Sequence, residues 1–179
     1  MKTMQTLRRF YTGVNVRPHR DGFEVALDGR PIRTPLGVSL ILPAEALAAA
    51  VAAEWEAQKA EIVPARMPLT GIANTALDRV GSDRGSFRAS VAAYGRSDLL
   101  CQRAEAPADL VRRQEEQWNP LLGWAAARFG ARLAVGAGVM PIAQPGDAVA
   151  ALEAAVAGLD DWTLAAAGVM TVASGSLVL

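Results

Sequence analysis

Apolar and polar positions alternate with a period of two over the first forty residues and recur roughly every four thereafter. Phe23, Val25 and Leu27 alternate cleanly after the turn pair Asp21-Gly22, and a looser alternation from Phe10 to Val16 supplies the partner strand of a hairpin. Asp28-Gly29 makes a second turn into PIRTP, and Leu36-Gly37 introduces VSLIL, so these residues form a short antiparallel meander. Pro31 and Pro35 place that stretch at a sheet edge, because proline donates nothing to a ladder.

Pro43 suits the first turn of a helix in which Leu47, Val51 and Trp55 recur every four residues and cover the sheet. Trp55 is assigned to the core, where a charged replacement would unfold the domain through the cost of burying charge. Glu54, Glu56 and Gln58 fall off this stripe and read as a solvated face. The following MPLTGIANTALDRV, residues 67–80, puts Thr70, Asn74 and Asp78 four apart on one helical stripe. Asn74 and Asp78 can bond each other and nearby backbone while Leu69, Ile72, Ala73, Ala76, Leu77 and Val80 pack. A scaffolding network is preferred to a partner surface or a catalytic row.

Beyond residue 80 the pattern is mostly helical. Ser82 or Asp83 caps a helix carrying Phe87, Val91 and Tyr94, Gly95 ends it, and Ser97 or Asp98 restarts the chain into LLCQR. Pro107 opens the strongest helix, whose apolar face includes Leu110, Trp118, Leu122 and Ala125; Pro120 inside it predicts a kink or break near Asn119. ARLAVGAGVMPIAQP is too rich in Gly and Pro for helix and reads as extended chain. Asp147 is expected to cap the next helix and Asp160 or Asp161 the last. The fold class is therefore α+β: a small N-terminal antiparallel β-meander with its covering helix over residues 1–81, then a mainly α-helical domain over 82–179.

Composition adds limits. Of the 179 residues, 51% are hydrophobic and 20% charged, enough to build real cores. Eighteen basic and eighteen acidic side chains cancel, which argues against nucleic acid as a partner. Residues 1–90 carry twelve Lys and Arg against nine Asp and Glu, the remainder six against nine, a mild asymmetry consistent with two subregions. The start MKTMQTLRRFY has Lys2, Arg8 and Arg9 without an acid but is short for a transit peptide, and one cysteine permits no internal disulfide; the chain reads as bacterial and cytoplasmic. Trp162 to Leu179 carries no charge, yet its Thr, Ser and Gly content and the lack of a flanking Lys or Arg argue against stable membrane insertion.

Candidate chemistry is sparse. One histidine and one cysteine cannot furnish a zinc site. His19 reads as a turn histidine and Cys101 as a buried thiol rather than a His-activated nucleophile. VGAGVMP lacks the third glycine and the Lys-Ser/Thr of a phosphate loop, and no spacing singles out a pair among Asp78, Asp98 and Glu105 for acid–base work.

Taken in order, RRFY (8–11), LDGRPIRTP (27–35), AAEWEAQ (52–58), MPLTGIANTALDRV (67–80), SDLLCQRAE (97–105), WNPLLGWA (118–125) and GVMPIAQP (138–145) resemble one family. It is the family of F-type ATP synthase assembly chaperones that bind the free α subunit, called ATP synthase assembly factor 2 in mitochondria. The resemblance implies a two-part α+β protein with no enzymatic activity and no cofactor, the α subunit as partner, and a matrix location in eukaryotic members. An enzyme with an unrecognised carboxylate or Cys101 site, a membrane-associated factor and a non-specific holdase are the alternatives. Relatives usually carry Trp-Asp-Pro where this chain has Trp118-Asn119-Pro120, and they continue past SGSLVL, so the chain is expected to be C-terminally truncated. Arg8, Arg30 and Arg33, on the N-terminal sheet, are the candidate partner-binding residues. Trp55, Asn74, Asp78 and Trp118 are taken as structural.

Overall fold

The computed structural model describes residues 7–140 and 142–179; Lys2 of the basic start and Pro141 of GVMPIAQP lie outside the described residues. The chain divides into two compact units, Met1–Ser82 and Asp83–Leu179.

In the first unit, strands β2 (Val14–His19) and β3 (Gly22–Leu27) form an antiparallel hairpin in register from Val14 opposite Leu27 to His19 opposite Gly22. Gly22 sits at φ 143°, and a Cβ there would collide with the Leu42 carbonyl, so this position requires glycine. Asp28 and Gly29, at φ 47° and 81°, make the two-residue turn into β4 (Arg30–Pro31), with Leu27 opposite Arg30. Strand β5 (Ile41–Leu42) pairs with Phe23 and Glu24 farther along β3. Since β2 occupies the whole of one β3 edge, β4 and β5 share the other, and Pro31 lies on the edge strand as its chemistry demands. Helix α1 (Glu45–Glu56) buries Ala48 and Val51 against this sheet. Pro43 precedes the helix instead of entering it, and Ala44 occupies the N-cap.

Two features of this unit depart from the sequence reading. Strand β1 (Leu7–Arg8) pairs antiparallel with β6 (Glu61–Ile62) in a ribbon too short to leave a periodic signal. Residues 67–80 are helical, but α2 (Pro68–Asn74) gives way to a π-helical segment over Thr75–Val80. Asp78 makes no hydrogen bond with Asn74. Asp78 instead accepts from Thr34 Oγ1 at 2.5 Å and from the Leu36 amide at 3.1 Å, and the Asn74 Oδ1 atom is buried without a partner. Thr70 turns to Glu54: the Leu69 and Thr70 amides and the Thr70 hydroxyl all donate to its carboxylate at 2.7–2.8 Å. Glu54 is thus no solvated acid, because it caps the start of α2 from a neighbouring helix. Gln58 is also buried, bridging the Glu54 carbonyl and the Val63 amide.

The second unit contains α3 (Arg84–Ala92), α4 (Ala108–Phe129), α5 (Gly146–Ala157) and α6 (Asp161–Ser174). Asp83 caps α3 through the Ser86 amide and Asp160 caps α6 through the Trp162 and Thr163 amides. The Asp147 cap does not form: Pro145 holds the N-cap position of α5, and Asp147 lies in its first turn. Chain continues past α3 as a 3-10 turn over Ala93–Arg96 rather than stopping at Gly95. The extended residues after α4 contribute β8 (Gly136–Ala137), parallel to β7 (Gln102–Arg103).

Helix α4 neither breaks nor ends at Pro120. Pro120 and Glu116, whose carbonyl would otherwise receive an amide from position 120, are both exposed, so water can take the freed acceptor. Leu100, Cys101, Leu122, Ala125 and Val178 form a core cluster against which Trp118, Leu121 and Leu133 pack. Among the described residues no helix is long and apolar enough to cross a membrane, and α6, 14 residues long, starts at Asp161 and ends at Ser174, inside the uncharged C-terminal stretch.

Candidate functional site

The cleft that collects the most exposed recognition chemistry lies in the first unit. It has a volume of about 570 Å³ and is lined by residues from three stretches: Leu7, Phe10 and Tyr11; Leu27, Asp28 and Arg30 through Arg33; and Trp55. Leu7 and Phe10 are 58% and 66% exposed, so two large apolar side chains stand at the surface of the cleft.

Backbone ties hold this stretch in place. Arg9 donates to the carbonyls of Tyr11, Thr12, Glu56 and Gln58, and its guanidinium lies 4.6 Å from the Tyr11 ring centre. The Tyr11 hydroxyl donates to the Trp55 carbonyl at 2.7 Å. Phe10, Tyr11 and Trp55 form an edge-to-face series with ring centres 5.4 and 5.8 Å apart. The Trp55 ring is half-buried and its indole N–H is buried without a partner, so its core role is shared with the cleft. Burial pushes the Tyr11 phenol above its ordinary value, against the opposing pull of Arg9.

The turn at Asp28 also lines the cleft. Its carboxylate accepts from the Thr12 amide, the Thr12 hydroxyl and the Gly13 amide at 2.8–3.1 Å, bonds that hold its pKa below the usual carboxylate value. The Arg30 guanidinium makes no hydrogen bond or ion pair among the described residues. Arg33 donates to the Gly37 carbonyl at 2.8 Å.

The structure therefore gathers Arg30 and Arg33 at one cleft and leaves Arg8 outside its lining, exposed on β1 opposite Glu61. Phe10, Leu7 and Arg9 were not singled out by sequence reasoning. The run RRFY carried Arg9 and Phe10 and nothing carried Leu7, since periodicity marks apolar residues for burial and cannot mark those left outside.

In the second unit, Cys101 is buried and burial pushes its thiol up to about 11, with Asp98 nearby adding to the shift. A thiol so raised is a poor nucleophile near neutrality. His19 belongs to the first unit, where its Nδ1 accepts from the Asp21 amide. Among the described residues no three His, Cys, Asp or Glu side chains stand where they could hold a metal ion. Trp118 packs at the core cluster with the buried Arg103 guanidinium 5.2 Å from its ring centre.

An α+β frame that displays guanidinium and apolar side chains around an open cleft has the make-up of a binding protein's surface. The ATP12 chaperone protein model matches residues 8–126, well over half of the chain, and the chain belongs to that family. The crystal structure of Atp12 from Paracoccus denitrificans is 42% identical, with a TM-score of 0.85 over 96% of this chain and 74% of that one; a substituted form of the same protein gives the same values. A candidate chaperone from Agrobacterium tumefaciens is 39% identical, with a TM-score of 0.87 over 96% of this chain and 65% of that one.

Proposed function

We propose that the chain is an assembly chaperone of the F-type ATP synthase catalytic head, binding the free α subunit and shielding its β-facing interface until assembly. Family membership supports the class of activity, and the observation that carries the binding role is the cleft with Leu7, Phe10, Arg30 and Arg33 at its surface. An α subunit awaiting β presents an interface resembling half of a domain core, which self-associates unless covered. Reversible cover by a chaperone, displaced as β binds, prevents this by mass action alone and consumes no nucleotide. Arg30 and Arg33 contact the client directly in this reading, with Arg8 on β1 as an outer contact. The protein works without catalysis or cofactor, in the cytoplasm of a bacterium.

Size exclusion of the purified chain mixed with free α subunit, and separately with β, tests the assignment. A one-to-one complex with α alone is expected. A complex with β alone, or with neither, overturns the client assignment, and equal protection of unrelated aggregating proteins would make the chain a general holdase.

A further inference from the structure

The lining of the first-unit cleft combines two chemistries. One offers the exposed apolar surfaces of Leu7 and Phe10, backed by Tyr11 and Trp55. The other offers Arg30, with no internal partner, and Arg33, which gives one donor to Gly37. The acid that lines the cleft, Asp28, is committed to the Thr12 and Gly13 amides and the Thr12 hydroxyl, so its acceptor capacity is largely spent. Neither guanidinium makes an ion pair among the described residues, and two arginines against one aspartate leave the lining with an excess of positive charge beside apolar surface.

Building on the chaperone reading above, we propose that this cleft docks one extended segment of the client in which an Asp or Glu stands next to a large apolar side chain. The carboxylate takes Arg30 in a forked pair, with Arg33 adding a donor, while the apolar side chain lies against Phe10 and Leu7. Charge complementarity selects this occupant over a purely apolar one, which would strand the arginines of the cleft, and over a basic one, which it would repel. The volume of about 570 Å³ admits a few side chains rather than a folded element. Edge-to-face aromatic support and the Arg9 ties to four carbonyls keep the apolar residues ordered before the client arrives, which lowers the entropic cost of docking.

The test measures binding of labelled free α and β subunits to the intact chain and to Arg30→Glu, Phe10→Ser and Arg88→Glu, at low and high salt. Arg30, Phe10 and Arg88 are all exposed, so each variant should fold, and circular dichroism checks that it does. Arg88, on α3 of the second unit, has no partner among the described residues and serves as the control. The expected result is that Arg30→Glu and Phe10→Ser each weaken α binding about tenfold or more, that Arg88→Glu leaves it unchanged, and that salt weakens the wild type more than Arg30→Glu. If α binds the wild type and both cleft variants equally, the cleft proposal falls while the α assignment stands. If β binds instead and the cleft variants lose it, the cleft stands and the α assignment falls. Binding of neither subunit overturns both, and a self-association that Arg30→Glu abolishes would replace the client segment with a second copy of the chain.

Discussion

Arg103 is 7% exposed and makes no ion pair among the described residues. Its Nε donates to the Leu100 carbonyl at 2.7 Å, a terminal nitrogen donates to Asn119 Oδ1 at 3.0 Å, and Trp118 covers one face. A buried cation thus leans on a neutral amide. Asn119→Asp should raise stability by about 1 kcal/mol, a modest gain because residue 119 is itself exposed. Urea denaturation checks this: the gain should shrink with salt and vanish once the new carboxylate is protonated, and no gain at neutral pH would mean that water already serves the guanidinium. Sequence identified Trp118 as a packing residue but not Arg103 as its partner, since the two lie fifteen positions apart and meet only through tertiary structure. Glu54 was misread for the same reason. Helical spacing put it off the stripe facing the sheet, but could not show that Leu69 and Thr70 would return to use its carboxylate.

Elements with several turns or a full hairpin were legible, as were β4 and β5 through the turns before them, whereas the other two-residue strands were not. The β2–β3 hairpin announced itself through alternation and Asp-Gly turns, and α1, α3 and α6 through stripes and caps. Strands β1, β6, β7 and β8 are each two residues long, below the length at which a period exists. The π-helical residues 75–80 read as ordinary helix because the same side chains serve both. Packing between helices adds a constraint hidden from periodicity. Gly168 of α6 lies so near α3 that an added Cβ would stand 2.8 Å from Phe87 Cζ and 3.2 Å from Val91 Cγ2. Gly→Ala in a helix interior gains about 1 kcal/mol in propensity, but overpacking a core costs about 1–3 kcal/mol, so Gly168→Ala should destabilise the second unit. Gly123 of α4 has nothing within 4 Å of its would-be Cβ, and Gly123→Ala should instead stabilise by up to about 1 kcal/mol. Opposite signs in thermal denaturation are the expected result; two gains would show that α3 and α6 can separate freely.

For the whole molecule, the shifted titrations predict a stability plateau with two falling limbs. Asp28, Asp83 and Asp160 all lie below the ordinary carboxylate value of 3.8: Asp28 chiefly through the Gly13 amide, Asp83 through the Ser86 amide and Asp160 through the Thr163 hydroxyl. A folded pKa below the unfolded one means that the unfolded chain binds protons first, so this stability is complete above the ordinary value and is lost as pH falls through the lowered ones. The alkaline limb has the opposite origin. Burial raises the Cys101 thiol from 9.0 to about 11 and lifts the Tyr11 phenol above 10.0. Here the folded state holds its proton longer, so the contribution is full below the unfolded pKa and disappears as pH climbs through the folded one. Tyr11 and Asp28 belong to the first unit, Asp83, Cys101 and Asp160 to the second, so each unit has its own acid and alkaline sensitivity. Urea midpoints followed by residue-resolved NMR in each unit should therefore hold steady from about pH 5 to 8 and fall on both sides. Cys101→Ala should flatten the second unit's fall between about pH 9 and 11, and Tyr11→Phe the first unit's fall above about pH 10, whatever constant offset each substitution adds. An alkaline slope unchanged in Cys101→Ala would mean that the thiol opens to solvent before the second unit unfolds, and would return Cys101 to consideration as a reactive group.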